Sequence, residues 1–305
     1  TSSNFTSSRG VQTTVKDYIN RSISDILNAE INWPFTRAEG SVDAIAGKQL
    51  YSFASIASTL KYIDYDNVFL MPKDYITNGD FEISGSASIT NWATISGSPA
   101  ASSKFGNTLL LTSAKSSQEV EDLIVGKSYV ILIQTSGATL TLDVGTSSGG
   151  TQTKTTTLTI ASGNEVLLSE VTFTATATTH YVTFTESAGA TAYVKLVQLA
   201  ENITPIGLKY ISYEEYSERY RERDSRPDTD KFSDPEFIYT TYNDEIGLSP
   251  IPDTSNRTIK FDYYTSNVDL SAHGDTSIIP TRFESVINAR AKYYTYMFRS
   301  DVQTA

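Results

Sequence analysis

Between Asn78 and Asn202 the chain has no arginine at all. Every arginine lies outside that stretch, from Arg9 to Arg37 and again from Arg219 onward. The same stretch holds a single proline, Pro99, and is rich in Thr, Ser, Gly and Ala, while its flanks are rich in Tyr, charge and Pro. A compositional step on both sides marks one β-rich domain inserted into a loop of another, so residues 1–77 and 203–305 are read together as one split unit around 78–202. Cysteine is absent, which excludes disulfides, thiolate zinc sites and thiol nucleophiles. No apolar run approaches the roughly 18 residues that cross a bilayer, and no charged start precedes an apolar signal segment. The expectation is a soluble protein without a membrane partner, not exported by a signal peptide.

What is present starts with size and charge. At 305 residues the chain is long enough for two domains with proper cores. A net charge of -11 argues against a nucleic-acid grip, which needs clustered Lys and Arg to displace counterions. It is compatible with a surface that nucleic acid must pass without sticking.

In the outer unit, Val11, Val15, Ile19, Ile23 and Leu27 recur at near-helical spacing and predict a helix of about five turns. Asn28 and then Asn32-Trp33-Pro34 end it, because the residue before proline avoids the helical region. Strands are expected at Gln49 to Phe53, Leu60 to Tyr65 with Val68 to Leu70, Glu236 to Tyr242, and Thr258 to Thr265. Between them, Tyr213, Tyr216 and Tyr220 at i, i+3 and i+7 within 211–223 predict a short, exposed amphipathic helix. Near the end, Thr281-x-x-Glu284 after Pro280 has capping-box spacing, and Phe283, Ile287, Tyr294 and Phe298 share one face of a last helix. The outer unit thus reads as helices at both ends around a small antiparallel sheet.

Read in order, Trp33-Pro34-Phe35, Gly47-Lys48-Gln49-Leu50-Tyr51, Leu60-Lys61-Tyr62-Ile63 and Leu208-Lys209-Tyr210-Ile211-Ser212 carry a resemblance. The series continues through Asp234-Pro235-Glu236, Leu248-Ser249-Pro250-Ile251-Pro252-Asp253, Phe261-Asp262-Tyr263-Tyr264, Ile279-Pro280 and a Tyr-rich last helix. It resembles the head-to-tail adaptor (connector ring, tail tubular A-like) proteins of short-tailed bacteriophages, and covers essentially the whole outer unit. The resemblance implies a structural virion protein of the tail or neck, assembled in the host cytoplasm. Such proteins form a ring, commonly of twelve copies, under the portal, and hold the tail nozzle and often the fibres. Genomic DNA passes through the ring without specific binding. Arg219, Arg221, Arg223, Tyr294 and Phe298 are then the candidates for contact with partners, Arg being favoured for bidentate pairing. For the charge run from Glu218 to Arg226 the plain alternative is a solvated helix face.

Inside the insertion, alternating runs separated by Gly or Ser clusters predict strands at 108–112, 127–135, 139–144, 155–160, 165–174, 180–185 and 192–199. Regular strands without a helical period indicate an antiparallel β-sandwich. Asn78-Gly79-Asp80-Phe81-Glu82, Asn91-Trp92 and Ala192-Tyr193-Val194-Lys195-Leu196 resemble jelly-roll carbohydrate-binding modules. That resemblance implies a structural calcium near Asp80 and Glu82, yet Lys195 stands where an acid is expected and would repel the metal. It also makes Trp92 a candidate glycan platform, against the alternative of a core aromatic.

Catalysis finds little support. The only histidines are His180, in a strand-like alternation, and His273, in a His-Gly-Asp loop. No nucleophile elbow, P-loop or dinucleotide fingerprint occurs, so no enzyme and no cofactor is expected. The fold class expected is α+β with an inserted all-β jelly roll. Two functions remain: the ring-forming adaptor of the virion, and a carbohydrate-binding adhesin in which the sandwich does the work.

Overall fold

In a computed structural model the chain is described over residues 11–30, 32–159, 166–225, 234–272 and 274–298. The helical spacing of the first segment forms α1 (Val11–Ala29), and a 3₁₀ turn at Pro34–Thr36 follows. Next come β1 (Arg37–Asp43), β2 (Leu50–Ser52), the one-turn α2 (Phe53–Ile56) and the long β3 (Leu60–Pro72). Among the described residues the regular elements of the middle of the chain are strands: β4 (Glu82–Ile83), β5 (Ser86–Ala87), β6 (Ala93–Ser96), β7 (Ala100–Ser102), β8 (Thr108–Leu111) and β9 (Lys115–Val120). It continues with β10 (Ser128–Gly137), β11 (Leu140–Gly145), β12 (Lys154–Leu158), β13 (Leu167–Thr174), β14 (His180–Thr185) and β15 (Ala192–Glu201). The last part holds β16 (Ile206–Gly207), β17 (Lys209–Tyr210), α3 (Tyr213–Arg219), α4 (Arg221–Asp224), β18 (Phe237–Thr240), β19 (Glu245–Ser249), β20 (Arg257–Thr265) and α5 (Glu284–Phe298).

These elements form two compact units. The outer unit takes the residues before Met71, Ile206–Ser255 and the residues from Ile259 onward; the sandwich unit takes Met71–Pro205 with Asn256–Thr258. Where the sequence suggested one small antiparallel sheet in the outer unit, there are two, ordered β1-β20-β3-β16 and β17-β18-β19-β2. The β17–β18 pair is parallel. Of the strands not expected, β16 and β17 span two residues each, β1 (Arg-Ala-Glu-Gly-Ser-Val-Asp) has Val42 as its one large apolar residue, and Gly247-Leu248-Ser249 of β19 looks like turn sequence. Ile63, Val68, Leu70, Ile259 and Phe261 from the first sheet join Tyr51, Ile238, Ile246 and Leu248 from the second in one apolar core.

The last helix departs from its expected start. Thr281–Phe283 form a 3₁₀ turn with Pro280 at the N-cap and no side-chain cap, so the Thr281-x-x-Glu284 box is not made. The tyrosine helix also differs. It breaks at Tyr220 into α3 and α4, Ser212 caps α3 by accepting from the Glu215 N–H at 3.1 Å, and Tyr216 is buried rather than exposed.

In the sandwich unit, two five-stranded sheets ordered β13-β10-β15-β8-β7 and β12-β11-β14-β9-β6 face each other. Alternation sends Tyr129, Ile131 and Ile133 of β10 inward with Leu140, Leu142 and Val144 of β11 and Val182 and Phe184 of β14. In β15 the inward set skips from Val194 to Val197, because a bulge shifts its register against β10 at Gln134/Thr135. Lys195 occupies that bulge. Strand β9 was not foreseen, since Lys-Ser-Ser-Gln-Glu-Val carries no apolar alternation. Its buried Gln118 is satisfied by backbone: Oε1 accepts from the Thr77 N–H at 3.0 Å and Nε2 donates to the Thr77 carbonyl at 2.7 Å.

Residues just before Asn78 also complete the sandwich. Ile76 lies in its core, the Tyr75 N–H donates to the Leu199 carbonyl at 2.8 Å, and Asp74 Oδ1 accepts from the Leu199 N–H at 3.0 Å. A fragment of residues 71–205 is therefore expected to melt cooperatively by itself. A 78–202 fragment should be less stable by about 3 kcal/mol, from the lost burial of Ile76 and the stranded Leu199 and Gln118 groups. Urea unfolding of the two fragments side by side checks this; equal midpoints would contradict it.

Candidate partner-contact surfaces

The terminal helices hold each other before they can hold anything else. On α1, Ile23 and Leu27 are buried with Ile279 and with Ile287 of α5. Beside this apolar seam, Arg290 of α5 donates through Nε and Nη2 to one oxygen of Asp25 on α1, at 3.0 and 2.9 Å. The Tyr294 hydroxyl donates to the same oxygen. The Tyr294 ring stacks on Tyr18 at 6.1 Å and lies 4.3 Å beneath the Arg21 guanidinium. The Tyr294 hydroxyl and then Arg290 hold the Asp25 carboxyl below the usual carboxylate range, against the opposing effect of burial. Asn20 adds a backbone tie, its side chain exchanging two hydrogen bonds with Leu270 at 3.2 and 3.0 Å.

Tyr294, expected from the sequence as a partner contact, is thus buried at 8 % exposure within this helix pair. Its hydroxyl and its ring are engaged inside the chain, which removes it from the candidates. Phe298 remains one, 72 % exposed at the last described turn. Val286 and Met297 of α5 are also exposed, at 49 % and 45 %. Sequence reading passed over both, because it looked for one apolar face; on a helical wheel they form a second stripe beside Ile287 and Tyr294.

The arginine group divides in the same way. Gly247 leaves room for the Tyr239 ring directly opposite on β18, where a Cβ would lie 2.2 Å from the ring. Tyr239 in turn stacks on Tyr216 of α3 at 3.9 Å. This seats α3 and α4 so that the Asp224 carboxylate is buried, accepting from Ser249 Oγ at 2.8 Å and Gln49 Nε2 at 3.3 Å. Arg223 belongs to this network: it donates to Asp224 at 3.3 Å and to Ser249 Oγ at 3.1 Å, and lies over the Tyr220 ring. It is half-exposed, but its charge is matched within the unit. Arg219 is exposed and pairs with Glu215 one turn back, at 3.1 Å, a surface pair that contributes little. Arg221 is exposed. Arg226 lies outside the described residues.

In the sandwich unit Trp92 is 4 % exposed, packed between Phe81 at 5.4 Å and Phe184 at 5.6 Å. Its indole N–H donates to the Asn78 carbonyl at 3.2 Å. A ring enclosed on both faces cannot act as a glycan platform, so that candidate is withdrawn. Asp80 accepts from the Glu82 N–H at 3.3 Å, and Glu82 from Asn107 Nδ2 at 2.8 Å. Among the described residues no group of three or more His, Asp or Glu is placed to hold a metal. His180 is fully buried beside Phe173, and burial lowers its pKa; His273 lies outside the described residues. Asp275 is a turn lock, accepting from the Ser271 and Ala272 N–H groups at 2.6 and 2.7 Å. A cleft of about 390 Å³ crosses β1, β20 and β3, and its Glu39, Lys260 and Asp262 mix both signs of charge.

Against known proteins, the profile of a family described as SU10 adaptor protein matches residues 153–305. No curated protein matches the chain. Among solved structures, the enzymatically active domain of tailspike protein 4 of bacteriophage CBA120 aligns at 14% identity and TM-score 0.34, over 42% of this chain and 21% of that one. This protein therefore spans about a fifth of the length of that domain. A family 61 carbohydrate-binding module in complex with β-1,4-galactotriose aligns at 19% identity and TM-score 0.33, over 43% and 99% of the two chains. The xylan-binding domain CBM22-1 of Paenibacillus barcinonensis Xyn10C aligns at 11% identity and TM-score 0.31, over 44% and 97%. At these scores nothing about activity or ligand passes to this chain. No helix is long and apolar enough to cross a membrane among the described residues.

The helix pair yields a pH prediction. A carboxyl whose folded pKa is depressed stabilises the fold above its unfolded value near 3.9, and the contribution is lost as pH falls through the folded value. Asp25→Asn is therefore expected to lower the melting temperature of the outer unit at pH 7, by several degrees. The gap from the parent should hold down to about pH 4 and narrow below it, as the pH falls toward the depressed folded value. Calorimetry from pH 7 to pH 3 checks this; a pH-independent gap would show that Asp25 acts by packing alone.

Proposed function

Because the chain belongs to the SU10 adaptor family, we propose that it is a structural, non-catalytic protein of a phage virion that joins head to tail. In this reading copies of the chain form a closed ring, commonly of twelve, that docks on the portal and carries the tail nozzle and fibres. A ring of identical copies needs a heterologous interface that repeats head to tail and closes. The family match carries the proposal. The split outer unit supports it, since an adhesin built on the sandwich alone has no need of an aromatic helix pair at its ends. The adhesin reading has also lost its aromatic platform with the burial of Trp92.

Net acidity fits the passage of DNA through such a ring, because Lys or Arg lining a bore would bind phosphate and slow the chain. Arg219 and Arg221 then face protein partners rather than the bore, together with the exposed Phe298, Val286 and Met297 of α5.

Mixed with the portal protein of the same phage, the chain is expected to add a ring visible by negative-stain imaging. Failure to join that portal under every condition tried would overturn the assignment. Replacing Arg219 and Arg221 with Ala is expected to weaken portal binding about tenfold and to leave DNA binding unchanged. Loss of DNA affinity with portal docking intact would place these arginines in the bore instead.

A further inference from the structure

The outward face of the sheet β12-β11-β14-β9-β6 holds polar residues that are buried although nothing in their alternation points them at the core. Register places Thr155, Asp143, Thr183, Ser117 and Ala93 in one row across its strands. Their inward neighbours are Leu142, Val144, Val182 and Phe184, so the row looks outward. Yet Asp143, Thr183 and Ser117 are 5 %, 0 % and 1 % exposed. They are satisfied within the row: Thr155 donates to Asp143 at 2.9 Å and Thr183 to Ser117 at 3.0 Å.

The cover is the β11–β12 connection. It leaves the sheet after Gly145, at the end where Gly145 stands opposite Tyr181 and Tyr181 opposite Glu119. It folds back over the outward face: a Cβ on Gly145, which shares that face with Asp143, would meet Gly150 at 2.5 Å, and Lys115 Nζ, from the first residue of β9, reaches across to donate to the Gly149 carbonyl at 2.9 Å. A Cβ on Gly149 would also lie 3.5 Å from Ile95 of β6. Gly149 and Gly150 are thus held over the outward face between Gly145 on one side of the row and the Lys115 and Ile95 side chains on the other. The connection is internally braced, Gly150 N–H to the Ser147 carbonyl at 2.8 Å and Thr146 N–H to Gln152 Oε1 at 3.2 Å. Gly149 is left-handed at φ +72°, which lets the tip turn at no steric cost.

We propose that residues 146–153 form a latched strap that closes this polar face, with Lys115 as the latch. Apart from Ile95 at the tip, the face beneath the strap carries hydroxyls and one carboxylate, so the charge-assisted hydrogen bond from Lys115 is its main tether there. Opening it uncovers Asp143, Thr183 and Ser117 without breaking a strand ladder. Such a motion is a local opening far less costly than unfolding the sandwich. The inference does not depend on the adaptor reading.

The chain's lack of cysteine makes a direct test possible. Ser117→Cys in the full chain puts a lone thiol under the strap, and Val182→Cys puts one in the inward core. With a thiol-reactive disulfide reagent, the Ser117→Cys thiol is expected to react faster than the Val182→Cys thiol. Adding Lys115→Ala should raise only the former rate, about tenfold or more. Equal, slow labelling at both positions would show that the strap does not open. Fast labelling at Ser117→Cys that ignores Lys115→Ala would show that Lys115 is no latch. Circular dichroism verifies folding of each variant, and Thr183→Cys replaces Ser117→Cys if that variant fails to fold.

Discussion

A ladder of two residue pairs closes the outer unit: Ile206 opposite Leu70 and Gly207 opposite Phe69. Everything else in that unit depends on the chain returning to this place after the whole sandwich has been made. Leu208, immediately after the ladder, enters the same core as Leu70, and Lys209 then pairs with Phe237 to begin the second sheet. An insertion is tolerated here because both of its ends leave from neighbouring antiparallel strands, and closing a loop by an already folded unit costs less than closing it by free chain. Asn256–Thr258, from the start of β20, complete the sandwich unit in return. There Asn256 donates to the buried Glu201, which also lies 3.7 Å from Lys127, and Arg257 donates to the Thr204 carbonyl at 2.8 Å.

Buried polar groups recur through both units, and in each case a specific set of donors makes them tolerable. Glu186 is 2 % exposed; burial pushes its carboxyl up, but the N–H groups of Ser113, Ala188, Ala190 and Gly189 outweigh that and hold it below the usual range. Its bonds to Ser113 and Ala188, at 2.7 and 2.8 Å, join the turn before β9 to the loop before β15. Asp224 does the same for α4 on the second outer sheet. These groups add modest net stability, and their stronger effect is to penalise any other packing, which would strand them.

The surfaces left over suit an adaptor. Aromatics that looked available from the sequence, Tyr294, Tyr216 and Trp92, are buried within their own units. Of the candidate contact residues, Arg219 and Arg221 on α3 and α4 and Phe298 on α5 stay exposed, and Val286 and Met297 of α5 join them.

By itself the sequence determined the periodic elements and the step in composition. The spacing of Ile19, Ile23 and Leu27 specified α1, and the alternation in β10, β14 and β20 specified those strands, since a period of 3.6 or 2 leaves one face to bury. Only the tertiary structure decided the rest. Strand β9 exists because Gln118 finds the Thr77 backbone, the bulge at Lys195 because β10 and β15 shift register, and the fate of Tyr294 because Asp25 and Arg290 meet it from two helices far apart in the chain. In each case the deciding partner is distant in sequence, and local pattern carries no record of which distant residue will satisfy a polar group or cover a ring.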